Sequence, residues 1–293
     1  MSFSLKFIRA FSFVPNDVID IITEFSDVCI IQGIFKMSLS QNHQFHKTWS
    51  MAYFRGGDSG EKQLQMMQSD GLILSSYSTG NVDIFRNEKL FNIVSLSNPC
   101  HVTVANSVVY VADWFSHVVR LYTLPTGGFI RNIGENNLSF PSGVAVSSTS
   151  GEIFVSEFGN HRITVFSETG VIRRQWGKFG HDAGEFHFPK HVVHNRDKIY
   201  VVDFYNNRIQ VFLDSGEFLF AFGDKHLNEP TCLAISAFNE IIVTEKENKR
   251  IRICDEHGLL LRSFRTVTKP VCIAVDRFGH LLVNSFKNIL VYE

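Results

Sequence analysis

Residues 152–166 read EIFVSEFGNHRITVF, residues 198–212 read KIYVVDFYNNRIQVF, and residues 239–254 read NEIIVTEKENKRIRIC. Each phrase is two apolar runs rich in β-branched and aromatic residues around a short polar turn, the composition of an antiparallel hairpin. Working outward, a proline and a short apolar run precede each phrase: Pro141 with GVAV, Pro189 with HVV, Pro230 with CLAI. A Gly-containing turn and a fourth run follow: VIRRQWG from Val171, EFLFAFG from Glu217, LLLRSF from Leu259. Prolines 99, 141, 189, 230 and 270 set spacings of 42, 48, 41 and 40 residues. A period near forty residues marks a repeat architecture, and each unit reads as a four-stranded antiparallel meander. Looser copies follow Pro99 and Pro270, and LILSSYSTGNVDIF from Leu72 with LFNIV from Leu90 makes a first copy.

One such sheet cannot bury both of its faces, whereas sheets packed radially can. The expected fold is therefore all-β, a β-propeller of about six four-stranded blades over residues 47–293, with a short extension at residues 1–46. Acid, amide and base recur at fixed offsets: Glu157, Asn160 and Arg162; Asp203, Asn206 and Arg208; Glu245, Asn248 and Arg250. This pattern resembles the NHL repeat, and the resemblance implies six blades. The second unit keeps Asp113 with Val119 taken as its Arg column, the last has Ser285 in the acid column, and the first has Ser76 and Asn81. The last unit shows only three strands. Residues 48–55, followed by GGDSGEKQLQM, line up with residues 171–178, followed by FGHDAGEFHF. Residues 48–55 are thus expected as the outer strand that closes the last blade and removes its edge.

In the extension, residues 13–25 read FVPNDVIDIITEF. The Pro-Asn-Asp start followed by Val18, Ile19, Ile21, Ile22 and Phe25 predicts a capped helix over residues 17–25. Residues 13–49, from this phrase to Trp49, resemble an F-box, which implies docking to a ubiquitin-ligase core while the propeller selects the client. The alternative is that IITEFSDVCII, residues 21–31, copies IFVSEFGNHRITV and continues the repeat as a decayed copy or an extra strand.

The repeated acids are expected to pair with the Arg five residues on, once per blade, because a catalytic carboxylate would break a repeat rather than follow it. The second residue after each proline should reach the propeller axis: His101, Gly143, His191, Cys232 and Cys272, with Leu64 in the first unit. Of these, His101, His191, Cys232 and Cys272 are soft enough to ligate zinc. The reading adopted is that they converge at one mouth of the channel without a metal or any other cofactor. Peptidylglycine-amidating lyases resemble NHL propellers and carry a zinc-binding His directly after the proline; that column here holds Cys100, Ser142, Lys190, Thr231 and Val271. No GxSxG, HExxH or P-loop phrase occurs.

The residue after the acid column is aromatic in five units: Tyr77, Trp114, Phe158, Phe204 and Phe286, with Lys246 as the exception. Phe115 and Tyr205 follow two of them, so at least one member of each pair should meet solvent, and Trp114 and Tyr205 are the expected anchors of a binding face. The 28 Lys and Arg against 29 Asp and Glu leave no global field for nucleic acid or an acidic membrane. Stacking of single-stranded RNA on the aromatic column fits the rings but not this balance. Five cysteines without a CxxC pair, no cleavable leader and no apolar run of eighteen point to a cytoplasmic protein without membrane partners. The function expected is a non-catalytic scaffold that binds a protein or peptide through the aromatic face, with a metal-dependent lyase or lactonase as the rival.

Overall fold

A computed structural model describes residues 48–54, 71–76, 80–86, 89–96, 98–124, 126–223, 226–276, 279–285 and 289–292. The described chain is all-β and forms six antiparallel sheets, the blades of a propeller. Blade 1 holds β1 (Thr48–Phe54), β2 (Gly71–Ser76), β3 (Asn81–Arg86) and β4 (Lys89–Ser95); blade 2 holds β5 (Pro99–Ala105), β6 (Val108–Asp113), β7 (Val118–Thr123) and β8 (Phe129–Ile133). Blade 3 holds β9 (Pro141–Val146), β10 (Ile153–Glu157), β11 (Arg162–Phe166) and β12 (Ile172–Trp176). Blade 4 holds β13 (Pro189–Asn195), β14 (Lys198–Asp203), β15 (Arg208–Leu213) and β16 (Phe218–Phe222). Blade 5 holds β17 (Pro230–Ile235), β18 (Ile241–Glu245), β19 (Arg250–Cys254) and β20 (Leu260–Arg265), and blade 6 holds β21 (Cys272–Val275), β22 (Leu281–Asn284) and β23 (Ile289–Tyr292). The first strands stand side by side around the axis, β1 against β5, β5 against β9, and so on to β21 against β1, which closes the ring.

The cores lie between blades rather than within them. A strand sends successive side chains to opposite faces, and β10 is buried along its whole length because both faces are covered. Its Ile153 and Val155 join Tyr110, Val119 and Leu121 of blade 2, while Phe154 joins Val192, Ile199 and Phe212 of blade 4. The same arrangement recurs around the ring: blades 1 to 5 each contribute to two cores, and blade 6 shares one with blade 5 and Leu74 of blade 1.

The chain departs from the expected closure. Residues 48–54 pair with β2, Met51 opposite Leu74 and Phe54 opposite Gly71, and so form the innermost strand of blade 1 rather than the outer strand of blade 6. The first unit needs an inner strand to join the ring, and the similarity to residues 171–178 reflects strand composition that inner and outer strands share. The predicted helix, Leu64 and the F-box-like phrase up to residue 47 lie outside the described residues, and the last two residues of that phrase fall in β1. Among the described residues no helix is long and apolar enough to cross a membrane.

Crowding at the axis is tightest where β9 meets β13. A Cβ on Gly143 would lie 2.7 Å from Ser156 Oγ and 3.0 Å from both His191 Cα and Val192 N, and two of those neighbours are backbone. Gly143→Ala is therefore expected to lower stability by about 1–3 kcal/mol through overpacking, measured by urea denaturation. An unchanged midpoint would show that the inner strands can move apart.

Candidate functional site

The acid columns are structural clamps. Glu157 and Asp203, both fully buried, receive the Nε of Arg162 at 2.7 Å and of Arg208 at 2.8 Å, and Glu245 receives that of Arg250 at 2.8 Å. Asn160 and Asn206 donate amide hydrogens to Glu157 and Asp203 at 2.6 and 2.8 Å, and the backbone N–H of Ser139 and of His187 completes each site from the loop entering the blade. A second side chain, two residues beyond the Arg column, was not legible in the repeat phrase. Thr164, Gln210 and Arg252 fill it in blades 3 to 5. In blade 2 the register sets Val118, not Val119, opposite Asp113, and Arg120 at this second position supplies the missing guanidinium at 2.7 Å. In blades 3 and 4 the carboxylate oxygens are taken up by donors, which makes them anchors of loops rather than bases.

The loops so anchored form one face. Phe140, Phe188 and Glu229, each directly before a repeat proline, adopt left-handed φ of 47°, 60° and 47°. Their N–H groups donate to His117 Nδ1 at 3.0 Å, His161 Nδ1 at 3.1 Å and Asn207 Oδ1 at 2.9 Å on the preceding blade. Both histidines accept through Nδ1, and burial holds His161 below its ordinary value. Between blades 3 and 4 the loop of residues 177–188 is longer than its counterparts. Arg208 fastens it by donating to the carbonyls of His181, Asp182 and Glu185 at 2.7–2.9 Å, and Gln210 donates to Glu185 O at 2.6 Å.

On this frame lies a continuous aromatic layer. Trp114 packs on Phe140 (ring centroids 5.4 Å) and Phe158 (4.8 Å), Phe158 stacks on Phe188 (4.3 Å), and Phe188 meets Tyr205 (5.4 Å). Phe204 is buried, 9 % exposed, beneath Tyr205, with the Lys190 ammonium 4.4 Å from its ring. Burial brings Lys190 down to about 8. Among the described residues of this layer, three rings project to solvent: Phe115 (54 % exposed), Tyr205 (53 %) and Phe179 (58 %), the last 5.0 Å from His187, which in turn lies 5.1 Å from Tyr205. Trp114 is half-buried, so the outward member of its pair is Phe115. Tyr77 and Phe286 lie outside the described residues. Phe140, Phe179 and Phe188 escaped the sequence reading, although two of them share the column just before the proline.

At the axis, His101, His191, Cys232 and Cys272 are brought together but buried. They touch in series: His101 Nε2 to His191 Nε2 at 2.8 Å, His191 Nε2 to Cys232 Sγ at 3.4 Å, Cys232 Sγ to Cys272 Sγ at 3.4 Å. The N–H of Val144 donates to His101 Nδ1, so the His101 proton sits on Nε2 and is given to His191. Among the described residues no three His, Cys, Asp or Glu are arranged to hold a metal ion. Burial pushes His101 down to about 4, His191 well below its ordinary value, and the Cys232 thiol up. In the column that carries a lyase's zinc ligand, Ser142 and Thr231 donate to the proline carbonyls of the next blade, Pro189 at 2.8 Å and Pro270 at 3.4 Å.

Residues 138–166 match the model of the NHL repeat. The chain is 32 % identical over 133 residues to Protein brain tumor of Drosophila melanogaster, covering 44 % of this chain and 13 % of that protein. It is 35 % identical over 133 residues to B-box type zinc finger protein ncl-1 of Caenorhabditis elegans, covering 44 % and 16 %. The chain thus matches only a small part of the length of these curated relatives. Among solved structures, the WD40 β-propeller domain of Doa1 superposes with a TM-score of 0.63 at 11 % identity, covering 86 % of this chain and 94 % of that one. A streptogramin B lyase does so with the same TM-score and identity, covering 86 % of each chain. Together these support an NHL-type propeller; the solved structures speak for the fold alone.

The axial histidines give the pH dependence a sign. The unfolded chain protonates His101 as pH falls through 6.5, the native chain not until about 4. Their contribution is therefore complete above pH 6.5 and is lost as pH falls toward 4, by about 3 kcal/mol for His101. His191 acts in the same direction. The fall in urea stability between pH 7 and pH 4.5 should be shallower in His101→Gln than in the natural chain; parallel curves would show that His101 titrates normally.

Proposed function

We propose that this propeller is a non-catalytic cytoplasmic scaffold that binds a protein or peptide partner through the loop face of blades 2 to 4. One observation carries the reading: Phe115, Phe179 and Tyr205 project to solvent from a layer of rings already packed beneath them. Exposed aromatic clusters mark interaction sites, and rings that give up little freedom on binding make efficient anchors. The clamped acids of blades 3 and 4, whose carboxylate oxygens are taken up by donors, support a non-catalytic role. A link to a ubiquitin ligase rests on the F-box-like phrase of residues 13–49 alone.

Phe115→Ser, Phe179→Ser and Tyr205→Ser should each leave stability within about 1 kcal/mol, as expected for surface positions, and together abolish recovery of the principal partner in affinity purification with mass spectrometry. Trp114→Ala should instead destabilise the fold by more than that, because it removes the floor beneath Phe140 and Phe158. Partner recovery unchanged in the triple variant would overturn the assignment. RNA recovered in place of protein and lost in the same variant would replace it, and ligase subunits among the proteins recovered would add the ligase link.

A further inference from the structure

Two neighbouring loops of the face are fixed by the same bond made with different chemistry. Phe188 keeps a left-handed φ of 60°, a conformation costly for an aromatic residue, and its N–H donates to His161 Nδ1 at 3.1 Å. One blade on, Glu229 keeps a φ of 47° in the same place before its proline, and its N–H donates to Asn207 Oδ1 at 2.9 Å. The two acceptors match in backbone as well, with φ of 52° at His161 and 53° at Asn207. An imidazole accepts through Nδ1 only while that nitrogen carries no proton, whereas an amide oxygen accepts throughout the range in which imidazole titrates.

Phe188 is also the middle of the aromatic layer. Its ring stacks on Phe158 (4.3 Å) and meets Tyr205 (5.4 Å), and the His161 ring lies 4.5 Å from it and 5.1 Å from Phe179. His161 therefore touches both the floor of the layer and one of its outward rings. Arg208 fastens the loop at His181, Asp182 and Glu185, and Asp203 takes the N–H of His187, so the His161 bond governs its Phe188 end.

We propose that His161 is a proton-operated catch: protonation of Nδ1 removes the acceptor of Phe188, frees that end of the 177–188 loop and disorders the aromatic face, so that the partner is held near neutral pH and released in acid. Only the release rests on the reading of this face as a binding surface; the opening of the loop is a property of the chain itself. Burial, and then His187 with its ring centroid 6.2 Å away, hold His161 below its ordinary 6.5, while Asp203, already paired with Arg208, works against them. Of the other ionisable groups on these elements, Lys178 and Glu185 pair at 3.1 Å, His181 Nδ1 lies 2.6 Å from Asn206 Oδ1, Asp182 is exposed, and Arg162 is held by Glu157. The lowered value gives the sign. The catch contributes fully above about pH 6.5, the ordinary value of an opened histidine, and its contribution is lost as pH falls through the lower value of the closed loop.

The test is hydrogen exchange by NMR on the partner-free chain at about pH 7.5 and about pH 5, corrected for intrinsic exchange. The Phe188 amide should open at least about threefold more readily in acid, while the Glu229 amide should not change. His161→Asn, which gives this loop the acceptor that the next blade already uses, should make Phe188 behave like Glu229. No increase at Phe188, an equal increase at both amides, or an increase that survives in His161→Asn would overturn the proposal, and the comparison of the two amides in the natural chain needs no substitution. A complex isolated at about pH 7.5 and washed at about pH 5 should lose its partner from the natural chain and keep it on His161→Asn; the same behaviour of both would overturn the release. If the triple serine variant keeps its partner, it is the reading of the face that fails, and the exchange data still decide the catch.

Discussion

A carboxylate sealed at the end of a blade's second strand is the interaction on which the loop face depends. Withdrawing Glu157 or Asp203 from water is costly, and the Arg, Asn, backbone N–H and second side chain gathered around each one offset that cost. Because those donors come from the hairpin turn and from the loop entering the blade, the charge cannot be satisfied unless both adopt a single arrangement. For net stability, a buried ion pair does little better than an apolar replacement of the same shape.

Stability comes instead from the cores between blades, and this division of labour separates packing from recognition. Successive residues of the middle strands alternate between two neighbouring cores, and most of those that pack there are apolar. The clamps hold the loops without drawing all of their side chains into the cores. The long loop of residues 177–188 shows how far: Arg208, already neutralised by Asp203, has enough donors left to hold three carbonyls of a loop that carries Phe179 into solvent.

The sequence made the blades legible because repetition multiplies a weak signal. Any one of the hairpins around Asn160, Asn206 and Asn248 could be mistaken, but the three at a fixed period could not. The same logic explains what was missed. The second partner of each acid is Arg, Thr, Gln or Arg in turn, different chemistries with one geometric role, so no residue pattern revealed it. The outward rings were harder still. Which of Trp114 and Phe115 faces solvent depends on the left-handed turn at His117 and on Phe140 from another loop, contacts set by tertiary structure. Residues 48–55 were misplaced because inner and outer strands of a propeller share composition, and only hydrogen-bond register tells them apart.

Where the units differ, the face acquires a direction. Blades 2 to 4 present rings, whereas in blade 5 the aromatic column becomes Lys246, which pairs with Glu229 at 2.9 Å and with Glu247, itself bound to Lys269 at 2.6 Å. Lys190 stands between the halves, its ammonium over the buried ring of Phe204. A ring of near-identical blades would offer a partner several equivalent poses and divide its binding among them. In the proposed binding mode, with an apolar anchor on one side and a network of ion pairs on the other, one rotation would set apolar groups on rings and polar groups on charge. Mismatched poses would bury the ion pairs without compensation, a larger penalty than the loss of a few contacts. Under the proposed function, the departures from the repeat would specify orientation, which the repeat itself cannot supply.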